Sequence, residues 1–362
     1  MRLTSLCAFY LVSYWFFDVP LGSACLISIG FVCQMAIGVR IIKLLLPSMP
    51  VTTLLMVGPA LILGGAASTI AYQVLNRGIL AMTCLSVVAL FSLQFVVNQN
   101  QVIDLRGVFQ KDVIHILGLS VLALSSDFEQ LFPIVVVIVL LTPVFQLRRK
   151  SIALRTIVCL GLIGILLVSR LYRSKLWWVV TDDYNFLEAL SLHLTTSGVN
   201  SSFSMLNPLR YHWLSYGWTG LMSVIGSTDQ PFTVLTQVMP FAYATSLAAS
   251  LLLICRAAIP SHLLHRSNAL LAWVTIAIFP IQWTGLSTAA VYAVLAAFCA
   301  LLIGAKVHIE PLWRRLVTYS LFLPIVALTK PPSLFAAIFS VALFETALSL
   351  QRQKNFKLQG SL

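Results

Sequence analysis

The sequence predicts an all-α, polytopic integral membrane protein of about twelve transmembrane helices, and three observations predict it. Mean hydropathy is +0.94 over 362 residues, of which 59% are hydrophobic and 9% charged. Apolar runs long enough to cross a hydrocarbon layer recur along the whole chain. The Lys and Arg gather in alternate connections between those runs, as they do where basic loops stay in the cytoplasm. That bias accounts for the net charge of +12 and removes any need for a nucleic-acid partner. No hydrophilic stretch is long enough to form a separate soluble domain.

Taken in order, the spans fall at 3–17, 20–42, 51–74, 78–97, 112–126, 131–146 and 152–171, then at 231–255, 269–283, 286–305, 316–332 and 333–350. The first lacks a small-residue cleavage site before Asp18 and is expected to be retained as a span. The fifth and sixth are short, and a re-entrant hairpin there would leave everything downstream on the same side. With the N-terminus inside, seventeen of the 23 Lys and Arg face the cytoplasm, among them Arg40, Lys43, Arg256, Lys306, Arg314 and Arg315, and six face outside. Both termini are therefore expected in the cytoplasm of a cell bearing this protein in its plasma membrane. The chain divides into a block of about six spans (1–150), a second membrane module (151–350) with an outer loop over 172–230, and a basic tail (351–362). All seven cysteines lie in apolar segments without CxxC or Cys/His spacing, so they read as small core residues and no metal site is indicated.

The outer loop holds the chemistry. Asp182 and Asp183 are an adjacent pair of acids, followed by a helical pattern running through His193. Phe186, Leu187, Leu190 and Leu194 share one face of it, with Asn185, Glu188 and Ser191 opposite. The acids can cap that helix, or act as a base on an acceptor hydroxyl. The stretch 195–207, rich in Ser, Thr, Gly and Asn, reads as a loop, and Asn200-Ser-Ser within it is a glycosylation sequon in a secretory pathway. The stretch 211–225 is apolar enough for a span, but crossing there would carry eight downstream basic residues outside. It is expected along the outer interface, with Tyr211, Trp213, Tyr216 and Trp218 at the headgroup boundary.

The outer cations other than Arg77, namely Arg170, Arg173, Lys175, Arg210 and Lys330, adjoin this loop or share its membrane face. Acids facing cations beside a bilayer suit a phosphate-bearing lipid substrate, although anionic lipid alone would also hold such cations. Lys330 can bind a phosphate or simply reach for the interface. His115 and Glu345 lie within spans, towards their inner ends, where snorkelling accounts for them.

Three segments, in this order, carry a resemblance: Asp182-Asp183-Tyr184, Tyr211-His212-Trp213-Leu214 and Leu328-Thr329-Lys330-Pro331. Over roughly 152–350 the chain resembles the GT-C membrane glycosyltransferases, in particular the protein O-mannosyltransferase and aminoarabinose transferase group. The resemblance implies that Asp182 or Asp183 is the general base, the other orienting the acceptor or a metal. It implies substrate contacts from Tyr184, Glu188, Arg210, Tyr211, His212, Lys330, Arg173 and Lys175. A polyprenyl-phosphate-linked sugar would be the donor, and the reaction would occur at the extracytoplasmic face. The chain departs from the family where Trp213-Leu214 replaces a Pro-Pro pair and where 282–290 carries no acid. About six spans precede the similar region and none follows its sixth span, which leaves room for a membrane partner subunit. The rival readings are a transporter or flippase for a lipid-linked sugar, which would line its path with polar groups near the midplane, and a non-catalytic membrane subunit.

Overall fold

The computed structural model describes residues 19–98, 116, 119–120, 182–199, 202–204, 207–208, 212–228, 231–258, 286–307 and 311–359. Helix α1 (Leu21–Leu45) runs up to Leu46 and Pro47, because the residue before a proline is pushed out of the helical region. Helix α2 (Thr53–Val74) is capped by Thr52, whose Oγ1 accepts the Leu55 N–H at 3.2 Å. It turns into α3 (Gly78–Asn98) through Asn76, Arg77 and Gly78, all at positive φ. Next among the described residues come α4 (Asp182–Thr196), strands β1 (Ser202–Ser204) and β2 (Asn207–Pro208), and α5 (Leu214–Ile225). The strands pair antiparallel, so a small ribbon stands where the sequence reads as loop. Helices α6 (Pro231–Ala257), α7 (Leu286–Val307), α8 (Leu312–Thr329) and α9 (Ser333–Gln359) complete the described bundle. Pro331 and Pro332 separate the last two.

Five helices among the described residues are long and apolar enough to cross a membrane: Leu21–Leu45, Thr53–Val74, Gly78–Asn98, Pro231–Ala257 and Ser333–Leu350. Helices α7 and α8 stand where the sequence predicts two more. The expected spans at 3–17, 112–126, 131–146, 152–171 and 269–283 lie outside the described residues, apart from isolated positions in the second of them.

Close backbone approach holds the centre together. A Cβ on Gly38 of α1 would collide with the Ala60 carbonyl of α2, and one on Gly64 with the Gln34 carbonyl. Small residues let membrane helices pack this way where the hydrophobic effect between spans is absent. Both α2 and α6 contain π-helical segments, Met56–Ala60 and Val234–Val238. In α2 the cause is Pro59, which has no N–H to donate and forces Gly58 out of helical geometry (φ −84°, ψ −106°). The Gly58 carbonyl accepts the Leu61 N–H of its own helix, and Ser246 of α6 donates to it as well, at 3.1 Å.

The bundle has two dissimilar ends. At one, Met49 of the α1–α2 turn touches Gly304 near the end of α7. Arg40, Lys43, Arg256, Lys306, Arg314 and Arg315 all lie in helix turns towards this basic end. At the other end the α2–α3 turn, the start of α6, the α8–α9 turn and helices α4 and α5 converge. Among the described residues only Arg77 and Lys330 bring positive side chains of Lys or Arg there. Near the basic end Glu345 of α9 corrects the snorkelling expectation. Arg315, 4% exposed, donates to it from Nε and Nη2, each at 2.9 Å, and the Tyr319 hydroxyl donates to the same carboxylate. A carboxylate at this depth finds its partners on the neighbouring helix. His115 lies outside the described residues.

Candidate functional site

Helix α5 builds the floor of the crowded end. Its twelve residues extend about 18 Å, short of the roughly 30 Å of a hydrocarbon core. Its N-terminal end, at His212, stands beside Lys330 of the α8–α9 turn. Its C-terminal end, at Val224, meets Tyr72, Gly78 and Ile79 of the α2–α3 turn. Both ends therefore meet the same end of the bundle, and the helix dips inward without traversing it.

The headgroup position expected for Tyr216 and Trp218 is overturned, while Trp213 is half-buried and Tyr211 lies outside the described residues. Tyr216 and Trp218 are 1% and 3% exposed, within the core. The Trp218 Nε1–H donates to Gln34 Oε1 of α1 at 3.0 Å, and Gln34 Nε2 reaches Met222 Sδ at 3.4 Å. Phe31 and Tyr243 meet the indole edge-on, at centroid distances of 6.2 and 5.4 Å. Gly65 makes room, since a Cβ there would collide with the indole ring. An indole N–H is tolerated in a core when it finds an acceptor, and Gln34 is that acceptor. The sequence gives no sign of this pairing, because the two residues lie on segments far apart in the chain.

Helix α4 packs on α5. A Cβ on Gly220 would lie 2.6 Å from the Ser191 carbonyl, so only glycine permits this approach. The buried face is Leu187, Leu190, Ser191 and Leu194, which is rotated from the expected one: Phe186 is exposed and Ser191 is buried. Ser191 tolerates this because its hydroxyl donates to the Leu187 carbonyl of its own helix at 2.9 Å. Glu188 is half-buried. The C-terminus of α4 is fastened to the α2–α3 turn. Gln73 Nε2 donates to the Leu194 carbonyl at 2.7 Å, and the Arg77 guanidinium lies over Gly198, whose φ is +83°. A cation and a donor against the last carbonyls of a helix complement its dipole. Arg77, set apart from the loop in the sequence reading, thus belongs with it.

The structure brings together two of the expected site residues. His212, just before α5, and Lys330 lie close enough for the ammonium to act on the imidazole. Burial pushes the His212 pKa down, and the neighbouring Lys330 charge pushes it further. The ring rests against Tyr216, centroids 6.0 Å apart. Behind it, the Ser215 hydroxyl and Tyr216 lie against the phenol of Tyr243, a wall the sequence does not foretell. A neutral imidazole beside an ammonium can meet an anionic oxygen with two different groups, one charged and one able to take up a proton.

The backbones of Asp182, Asp183 and Tyr184 form the first turn of α4, and their side chains lie outside the described residues, as do Arg210, Tyr211, Arg173, Lys175 and Arg170. Asn200 and the stretch 282–285 lie outside them as well. Among the described residues no three His, Cys, Asp or Glu come together as metal ligands. Comparison with family models, with curated protein sequences and with solved structures gives no match.

Proposed function

We propose that the chain is a membrane glycosyltransferase that takes a sugar from a polyprenyl-phosphate carrier and transfers it to an acceptor at the crowded end of the bundle, on the extracytoplasmic side of the plasma membrane. The observation that carries this reading is that Lys330 lies within electrostatic range of His212 at the same end as α4, whose first residues are Asp182 and Asp183. In this mechanism Lys330 holds the carrier phosphate and stabilises it as it leaves. His212 adds a hydrogen bond to the same group, and one acid of the pair removes the proton from the attacking hydroxyl. The uneven distribution of basic residues supports the sidedness, with the basic end in the cytoplasm. The resemblance of the three segments to GT-C enzymes supports the donor class.

The experiment is transfer by the purified chain in liposomes carrying lipid-linked sugars, followed by mass spectrometry of the products. Asp182→Asn with Asp183→Asn is expected to lower turnover by about 10²- to 10⁴-fold, whereas Lys330→Gln is expected mainly to raise KM for the donor. Near-normal transfer by the double variant at normal expression would remove the pair from the mechanism and favour a non-catalytic subunit acting with a membrane partner.

One observation favours the transporter reading: broken helices mark binding sites in many transporters, and α2 is broken at Gly58–Pro59. Here the break is packed shut. A Cβ on Gly58 would lie 2.8 Å from Ser250 Oγ and 3.0 Å from its backbone nitrogen. Among the described residues the break is closed on this side by α6, and the transferase reading stands ahead.

A further inference from the structure

A groove of about 480 Å³ lies at the crowded end, lined by Tyr72 and Gly78 of the α2–α3 corner, Ile79, Met82, Thr83 and Ser86 of α3, and Val224 of α5. Its size falls within the roughly 300–1,000 Å³ typical of small-ligand sites. The chemistry of its walls narrows the occupant. Thr83 and Ser86 donate their hydroxyl protons to Ile79 and Met82 carbonyls of their own helix, each at 2.8 Å, so the α3 wall behaves as an apolar surface. The groove opens along the outer face of α3, where Ile79 is 87% exposed and Leu80, Val87, Leu90 and Phe91 are also exposed. On a helix apolar enough to cross a membrane, an exposed apolar face of this kind suits contact with hydrocarbon. From Ile79 to Ser86 the wall descends about 10 Å. Arg77 immediately precedes the lining residue Gly78 in the α2–α3 turn, which puts a cation next to the groove at this end of the bundle.

A cation above a lipid-facing apolar slot has the form of an anionic lipid: phosphate at the rim, one chain below. We propose that this groove binds one acyl chain of an anionic glycerophospholipid, with the headgroup phosphate against Arg77. This lipid is distinct from the proposed sugar donor. His212 and Val224 stand at opposite ends of α5, about 18 Å apart, so a carrier whose phosphate meets Lys330 begins its tail at the other end of the helix. Because the Arg77 guanidinium also lies over Gly198 at the end of α4, a headgroup there touches the same side chain that fastens the outer-loop helix. The lipid would thereby tie α3, α5 and α4 together.

The test is native mass spectrometry of the delipidated full chain offered equal amounts of phosphatidylglycerol and phosphatidylcholine. Wild type is expected to retain phosphatidylglycerol with about a fivefold preference, the size of one cation–headgroup attraction near a membrane surface. Arg77→Gln is expected to abolish the preference while leaving chain binding, and Ser86→Phe to lose both lipids by filling the groove. Thr83→Phe serves the same purpose if the first filling variant unfolds, and thermal midpoints like wild type establish that each variant is folded. Equal retention of the two lipids by wild type, or an unchanged preference in Arg77→Gln, would overturn the proposal. So would wild-type occupancy in a folded, groove-filled variant. Polyprenyl phosphate at equimolar concentration is expected not to displace the bound lipid; displacement would make the groove the donor's own and would also overturn the proposal. The transfer assay scores the catalytic reading separately, so the two can fail independently.

Discussion

The two ends of the bundle bury ionisable groups in opposite ways. Near the basic end Arg315 meets Glu345 through two hydrogen bonds, with Tyr319 adding a third. At the crowded end a histidine is set beside a lysine, and both burial and the neighbouring charge oppose its protonation. The first arrangement satisfies itself. The second sets a cation beside a base, a combination suited to a negative charge. Groups arranged against their own protonation are a common mark of functional sites, while matched pairs usually hold structure.

The sharpest test of that contrast removes the matched acid. Glu345→Ala leaves the Arg315 guanidinium buried without its carboxylate and is expected to cost about 3–5 kcal/mol, read as a lower midpoint in denaturant unfolding of the purified protein. The double variant Arg315→Met, Glu345→Leu should recover most of the loss while the His212 titration stays as in wild type. If Glu345→Ala instead leaves stability unchanged and abolishes transfer, the two ends have been assigned the wrong way round.

A smaller effect is expected at Gly65. An alanine there collides with Trp218, and overpacking of this kind typically costs about 1–3 kcal/mol. The strain should shift α5 and with it His212, altering the histidine titration while the Arg315–Glu345 pair stays intact. Trp218→Phe in the same chain should relieve part of the strain. An unchanged His212 titration in a measurably destabilised Gly65→Ala would mean that α5 does not transmit to the site.

The smallest effect is electrostatic. Removing the charge in Lys330→Gln should raise the His212 pKa, yet leave it below the ordinary value of 6.5, because burial is the larger cause. The sign for stability follows. Since the folded-state pKa is depressed, the unfolded chain binds the proton more readily, so His212 costs stability as pH falls below 6.5 and onwards through the folded pKa. Lys330→Gln should soften that loss. NMR titration of labelled histidine checks the shift directly, and a His212 midpoint lowered by the substitution would contradict the arrangement.

Much of the helical frame was legible because hydropathy and helix punctuation coincide. The expected runs 51–74 and 78–97 agree closely with α2 and α3, since a charged turn at Asn76–Arg77 and a glycine separate two uninterrupted apolar stretches. The two prolines after Lys330 likewise separated α8 from α9. What sequence could not supply was depth. Tyr216 and Trp218 carry the same aromatic signal at a headgroup boundary as in a core, and only the presence of Gln34 and Gly65 on other helices decides between them. The Ser191 hydroxyl suggests a solvent face, but a serine bonded to its own helix carbonyl packs as a small residue. The partner of Glu345 lies one helix away, where no local pattern points to it. Of the candidate site, the nearness of His212 to Lys330 is a property of how α5 meets the α8–α9 turn, which no local spacing encodes.

The inward dip of α5 also has a consequence for the order of assembly during synthesis. Its neighbours include α1, made long before it, and α7 and α8, made after it. Spans enter the bilayer first and associate afterwards, so at the moment α5 leaves the ribosome the part of its socket made by α6, α7 and α8 does not exist. The side of α5 that meets Gln34 and Gly65 can therefore pack at once, while the side that meets α6, α7 and α8 stays uncovered until those helices arrive. A nascent chain halted before α7 should therefore leave that uncovered side of α5 open to protease, and the release of α8 should close it off.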